Sequence, residues 1–222
     1  MHEPRIEFSR RHPRQYSKLV VVKYPETLNT LISYLKKLPG VGTRTAERFA
    51  FELLKWKPEQ IKELGALCTD LPNKIIPCPC CGCITQEGVC RFCDPALREH
   101  GTLCILSSPR DAYAIEETRH FRGFYHIIEH LLSPLDGRHA NAIRIDRIIT
   151  RIEQFGIKEV ILGFDSTLEG DTTALYLKQE LSKFPISISR LGVGLPVGSS
   201  LEYIDGGTLS KALSGRQTIS TI

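Results

Sequence analysis

The sequence predicts a mostly parallel α/β sheet flanked by helices, preceded by two short helices in a tight hairpin and by a small module held together by cysteines. Three observations lead there. Beyond residue 100, short apolar runs alternate with stretches of helical periodicity; near the start, apolar residues recur at helical spacing around Pro39-Gly40-Val41-Gly42; and six of the eight cysteines crowd between residues 78 and 93. Strands alternating with helices of this length imply crossover connections, which set the strands parallel and the helices on the faces.

From Thr27 to Lys37, the residues Leu28, Leu31, Ile32 and Leu35 fall on one helix face, and Leu38 carries the stripe into the glycine turn. A second helix follows, with Ala46, Phe49, Ala50, Leu53 and Leu54 on one face and Thr43 as its cap. Pro58 opens a third, weaker helix through Leu64 and Leu67. After the cysteines, Leu103 to Leu106 reads as a strand, Asp111 to Thr118 as a helix and Phe124 to Ile128 as a second strand. The spacing of Ile145, Ile148, Ile149 and Ile152 predicts a helix over Ile143 to Phe155, then a buried strand at Glu159 to Phe164, a helix over Thr172 to Lys183 and a strand at Ile186 to Arg190. The tail from Gly192 to Gly207 is rich in Gly and Pro, and a short helix over Thr208 to Leu213 follows it. There is no internal repeat and no low-complexity tract.

At 222 residues, with 41% hydrophobic and 24% charged residues, the chain can bury one medium core and carry small modules besides. The aliphatic run Leu19 to Val22 is too short for a signal-peptide core or a membrane span, so a cytoplasmic protein with no membrane partner is expected. The net charge of +4 resides in the first 23 residues, where Arg5, Arg10, Arg11, Arg14, Lys18 and Lys23 face only Glu3 and Glu7; the rest is neutral. Such a basic leader reads first as a disordered, solvated tail and second as a nucleic-acid contact.

Eight cysteines without a secretory signal argue against a disulfide framework, and their crowding points to a metal. Zinc needs four thiolates at tetrahedral corners, which two opposed C-x-x-C turns supply. Either Cys78 and Cys81 or Cys80 and Cys83 can pair with Cys90 and Cys93. The residue after the second cysteine of such a turn favours a left-handed backbone, which suits Gly82 after Cys81 and penalises Ile84 after Cys83. The ligand set is therefore Cys78, Cys81, Cys90 and Cys93, with Cys80 and Cys83 as spare thiols, and Asp94 after Cys93 also tolerates the left-handed region. Four protein ligands leave no place for water, so one structural zinc is expected, with free or redox-active thiols as the alternative. Cys68 and Cys104 read as small buried hydrophobes.

The turn at Gly40 and Gly42 exposes backbone N–H groups at the start of the second helix, where the helix dipole favours an anion such as a DNA phosphate. Arg44 and Arg48, one turn apart, add charge beside it; the plain alternative is a helical hairpin with surface arginines. Asp165, Glu169 and Asp171 follow the strand ending at Phe164, at the carboxyl end of the sheet where ligands of α/β folds gather. They suit either Mg2+ or helix capping. The stretch Gly192 to Gly198 lacks the Gly-Lys-Ser/Thr ending of a P-loop and reads as a tight turn.

Each module is ambiguous alone, but their order is not. With Leu38-Pro39-Gly40-Val41-Gly42, Gly123-Phe124-Tyr125-His126, Leu132-Ser133-Pro134-Leu135-Asp136-Gly137 and the tail Arg190-Leu191-Gly192-Val193-Gly194-Leu195-Pro196-Val197-Gly198 through Leu201-Glu202-Tyr203-Ile204-Asp205, the chain resembles the bacterial RecR family of recombination proteins from about Tyr24 to Arg216. Residues 1–23 lie outside the resemblance as a basic extension expected to be disordered; the resemblance implies a helix-hairpin-helix over 24–71, a four-cysteine zinc finger over 72–97, a Toprim domain over 98–195 and a C-terminal segment for subunit contact over 196–222. It implies a ring-forming homo-oligomer that clamps DNA and works with RecO or RecF to help RecA displace single-strand-binding protein at gaps. Arg44 and Arg48 match the family's DNA-facing residues, and the four zinc ligands match as well. Toprim enzymes place a Glu after the first strand and an Asp-x-Asp after a later one. Here Ser107 stands at the first place and Thr167 at the second aspartate, with Asp165 retained, so no catalysis is expected. Asp165, Glu169 and Asp171 are left to contact a partner or hold a metal weakly. The competing readings are a Mg2+-dependent Toprim nuclease or topoisomerase-like enzyme, recruiting Glu116 or Glu117, and a zinc-bearing adaptor that never touches DNA.

Overall fold

A computed structural model of the chain describes residues 23–86, 90–133, 136–192, 194–216 and 218. Apart from Lys23, the basic N-terminal arm lies outside the described residues. The chain forms two compact units that divide between Thr69 and Asp70.

The first unit holds α1 (Glu26–Leu35), α2 (Thr43–Leu53) and most of α3 (Pro58–Lys74). Leu28 and Ile32 of α1 pack on Ala46 and Ala50 of α2, with Leu31, Leu35 and Val41 at the margin. Alanines at the contact let the two helices approach closely, and they narrow the buried stripe. Phe49 and Leu54, expected on that face, fall outside the stripe and are exposed. Gly40 sits at φ +76°, a backbone state that costs a glycine nothing, and so turns the chain between the helices. Gly42, not Thr43, is the N-cap of α2; Thr43 already has helical geometry because Ala46 donates its N–H to the Gly42 carbonyl at 2.9 Å. The third helix runs further than its apolar spacing suggests, and none of its residues is buried. Cys68, expected inside, is exposed on it.

The second unit is built on a four-stranded sheet of β3 (Thr102–Leu106), β4 (Phe124–Ile127), β5 (Glu159–Gly163) and β6 (Ser187–Arg190), in the order β4-β3-β5-β6 with every neighbouring pair parallel. Strand alternation sends Leu103 and Ile105 to one face and Cys104 and Leu106 to the other. The first face is covered by Ile148 and Ile152 of α5 (Ile145–Gln154) and by Leu177 and Leu181 of α6 (Leu168–Leu181). The second is covered by Ala112 of α4 (Pro109–Thr118), by Phe92 and by the cysteines. A two-stranded antiparallel hairpin, β1 (Ile75–Pro77) with β2 (Ile84–Gln86), carries the first cysteine turn. It leaves no periodic trace, since three-residue strands are too short to show one.

Caps set several boundaries. Ser108 accepts the Arg110 N–H at 3.2 Å with Pro109 in the first turn, so α4 starts before Asp111. Thr167 accepts the Gly170 N–H at 3.1 Å and starts α6 four residues before the expected Thr172. Ser133 and Arg138 form an isolated antiparallel bridge, and the buried Thr173 hydroxyl accepts the Leu132 N–H at 2.8 Å. In the tail, Ser199 donates its N–H to the Pro196 carbonyl at 3.2 Å, closing the turn before α7 (Gly206–Ser214). Among the described residues, no helix is long and apolar enough to cross a membrane.

Candidate metal centre and nucleic-acid interface

The Sγ atoms of Cys78, Cys81, Cys90 and Cys93 all lie within 4.8 Å of one another. Zinc–sulfur bonds of about 2.3 Å in a tetrahedron demand sulfur–sulfur edges of about 3.8 Å. Cys78 and Cys93 are 3.9 Å apart and Cys81 and Cys90 3.5 Å, so the donor set fits a tetrahedral thiolate metal. Gly82 adopts φ +76° and donates its N–H to the Cys78 carbonyl at 2.8 Å. A side chain there would also meet Ile127 at 3.0 Å. Asp94 does not adopt the left-handed state; its carboxylate instead accepts the Ala96 N–H at 2.9 Å, which completes the turn locally.

Contact with the Cys81 thiol and burial push the Cys90 thiol up to about 12, and contact with the Cys83 thiol raises Cys81. Cys81 and Cys90 therefore resist ionisation, and a divalent cation among the thiols would remove that resistance. Cys83 is fully buried outside the group, and its carbonyl accepts the Cys78 N–H at 2.7 Å.

The module is fastened to the sheet at several points. Ile127 donates its N–H to the Cys81 carbonyl at 2.7 Å, and Phe92 packs edge-on against Tyr125. From α5, the buried Arg151 donates Nη1 to Cys80 Sγ at 2.7 Å and to Cys93 Sγ at 3.4 Å, and Nη2 to the Tyr125 carbonyl at 3.0 Å. Periodicity placed Arg151 on no functional site, because its partners lie 58 and 71 residues away.

The connections from β3 and β5, which are neighbours, run in opposite directions across the sheet, leaving a crevice at their carboxyl ends. Ser107 and Asp165 follow those two strands. Among the described residues, Asp165, Glu169 and Asp171 are not gathered as a group of three possible metal ligands; Glu169 and Asp171 lie in the first turn of α6, and Asp171 pairs with Arg190 at 2.6 Å. Asp111 of α4 is the carboxylate that sequence reading missed: burial and the nearby Asp165 hold it above the usual carboxylate range. Glu116 is engaged elsewhere, accepting Arg98 at 2.6 and 3.2 Å and the Tyr125 hydroxyl at 2.8 Å. Burial opposes its ionisation, but Arg98 and Tyr125 outweigh burial and keep it below the usual range. His126 and Ser107 line a cavity of about 350 Å³ beside the first cysteine turn. Burial and the neighbouring Arg151 and Arg147 lower His126 to about 4, so its ring is neutral, and its Nδ1 has no hydrogen-bond partner among the described residues.

In the first unit, the N-terminus of α2 has no side-chain cap, and a Cβ on Gly40 or Gly42 would meet nothing within 4 Å. The first-turn N–H groups are therefore open to an anion. Arg44 and Arg48 are both exposed on this helix, and neither has an ion pair among the described residues.

Fold and sites together define a Toprim protein that carries a helix-hairpin-helix and a module whose four clustered cysteines could hold a metal ion. Residues 101–192 match the Toprim domain, 28–68 the RecR helix-hairpin-helix and 194–217 the RecR C-terminal region. The chain is 51% identical over 195 residues to Recombination protein RecR of Protochlamydia amoebophila, spanning 88% of this chain and 98% of that one. It is 48% identical over 198 residues to the Chlamydia felis protein of the same name, with 88% and 98% covered, and 45% identical over 200 residues to that of Chlamydia pneumoniae, with 89% and 100% covered. The chain belongs to the RecR family of recombination proteins.

Proposed function

We propose that the protein is a non-enzymatic DNA-binding mediator of recombinational repair, which clamps DNA as a homo-oligomeric ring and acts with RecO or RecF to load RecA at single-strand gaps. The observation that carries the DNA part is the uncapped start of α2 beside Gly40 and Gly42, flanked by the exposed Arg44 and Arg48. Backbone N–H groups and guanidinium groups at one helix end hold phosphates without reading bases, as a mediator indifferent to sequence requires. Self-association is supported by apolar residues that the single chain leaves in water: Leu67 and Leu71 on α3, and Val197, Leu201 and Tyr203 in the tail.

Zinc bound by Cys78, Cys81, Cys90 and Cys93 would cross-link the module, with no open coordination position for Lewis-acid chemistry. Asp165 and Glu169 are left as the acidic surface offered to a partner protein. The competing reading, Mg2+-dependent strand cleavage, draws on Asp111 beside Asp165.

DNA affinity should fall steeply with salt, and Arg44→Glu with Arg48→Glu should abolish most of it. Unchanged affinity in that double variant would mean that the hairpin is not the DNA contact. Nicked and supercoiled DNA incubated with Mg2+ should remain intact; cleavage that disappears in Asp165→Ala would establish the enzyme instead.

A further inference from the structure

We propose that the cleft between the cysteine module and α4 is a second nucleic-acid contact, one that takes a short stretch of single-stranded DNA. The inference rests on the reading that this chain handles DNA, but it concerns a different unit from the hairpin. The cleft has a volume of about 840 Å³, and its wall carries Arg91, Arg119 and Arg122 together with Tyr113, Phe121 and Leu97. Among the described residues, Arg91 and Arg119 have no carboxylate partner, and Arg122 has only Glu99 at 3.8 Å with both side chains exposed. The carboxylate within the cleft, Glu116, is already neutralised by Arg98, whose side chain is only 8% exposed and lies over the rings of Phe92 and Tyr125. The floor is therefore a charge-balanced network, and the guanidinium groups of Arg91 and Arg119, without a carboxylate partner among the described residues, are exposed around it.

The aromatic content decides which polyanion fits. Tyr113 is 45% exposed, yet its ring is held in a T-shaped contact with the buried Phe92, centroids 5.2 Å apart. A ring fixed edge to face in a cleft shared with guanidinium groups that lack a close carboxylate partner among the described residues offers a stacking surface and phosphate donors together, the combination that holds unstacked bases along a strand. A duplex hides its base faces and cannot use the ring. An acidic peptide satisfies the arginines but gains little from a stacking plane.

The test uses the full chain, a dT oligonucleotide, a duplex of equal length and poly-glutamate. Arg119→Asn with Arg122→Gln removes two charges away from the cysteine turns; Asn is chosen because Arg119 sits at φ +58°, which Asn tolerates. For dT this variant should lower affinity and flatten the slope of log K against log salt by about 1.4, at roughly 0.7 for each phosphate no longer neutralised. Tyr113→Leu should weaken dT binding about tenfold, and Tyr113→Phe should bind like the parent. Duplex binding, carried by the hairpin, should be unchanged in all three. Parental dT affinity and slope in both Arg119→Asn/Arg122→Gln and Tyr113→Leu would overturn the proposal. So would an equal loss for dT and duplex, or loss of poly-glutamate binding alone, which would mark a peptide site. Arg44→Glu with Arg48→Glu, run in parallel, reports on the hairpin separately, since it should reduce duplex binding whether or not the cleft binds.

Discussion

Replacing Arg151 by methionine tests whether a buried cation on α5 would help hold the zinc proposed for the cysteine module. Methionine keeps an unbranched stem against the Phe155 ring, which the guanidinium carbon approaches to 5.2 Å, while removing the charge and all donors. Arg151 Nη1 stands 3.4 Å from Cys93 Sγ. Two unit charges at that separation attract by about 5 kcal/mol in an effective dielectric of 20. Dehydration of the guanidinium offsets much of this, because Arg151 is only 2% exposed. Outer-shell partners of metal ligands typically change metal affinity by about 10- to 100-fold, roughly 1.4 to 2.7 kcal/mol, and that is the loss expected here. The assay is zinc release to a chromogenic chelator at constant pH, with Arg151→Lys as an intermediate that keeps the charge but not the fork. Loss of the donor to the Tyr125 carbonyl also lowers overall stability by about 1 kcal/mol, so the readout must be zinc release and not melting. A folded Arg151→Met protein releasing zinc at the parental chelator concentration would refute the reasoning.

Ligand choice is tested by Cys78→Ser, which should lose stoichiometric zinc and lower solubility or assembly before DNA binding, against Cys80→Ser, which should retain one zinc per chain; equal zinc loss in both would mean the wrong pair was chosen. His126, lowered to about 4 by burial and then by Arg151 and Arg147, is neutral when folded, so the unfolded chain binds the extra proton between pH 4 and 6.5. Its contribution is complete above pH 6.5 and is lost as pH falls to 4, a change of about 3 kcal/mol. Urea unfolding across that window should therefore show a steeper loss in the parent than in His126→Leu, and parallel curves would contradict the assignment. Thr173→Val leaves the buried Leu132 N–H without its acceptor and should cost about 1–3 kcal/mol, read as a lower urea midpoint at unchanged slope.

The order of elements was legible because helix and strand periods are local properties. Ile145, Ile148, Ile149 and Ile152 had to form a helix face, and Leu103 to Leu106 had to be a buried strand, wherever the two were placed. The choice of Cys78 and Cys81 over Cys80 and Cys83 was legible for the same reason: a left-handed backbone after the turn is a one-residue requirement, and Gly82 meets it at φ +76°. Phe49 marks the limit of that reasoning. Its helix could be predicted, but whether the stripe facing α1 reached as far as Phe49 depended on how closely two alanines let the helices approach. Short-range capping shifted boundaries too, as at Thr167, where one hydroxyl adds a turn to α6.

What no window of sequence contains is the meeting of distant residues. Asp165 lies near enough to Asp111 to act on its charge because β3 and β5 are neighbours in the sheet while their connections leave in opposite directions. Arg98, Glu116 and Tyr125 become one network, and Arg91, Arg119, Arg122 and Tyr113 come to line one cleft, because α4 and the cysteine turns cover the same sheet face. Arg151 reaches the thiols because the edge strand β4 lets a side chain from α5 pass the Tyr125 carbonyl to Cys80 and Cys93. Which elements form, and which four thiols can share a metal, follow from backbone preferences a few residues long. Which charges are neutralised follows instead from desolvation and from partners up to 71 residues away along the chain, which only packing brings together.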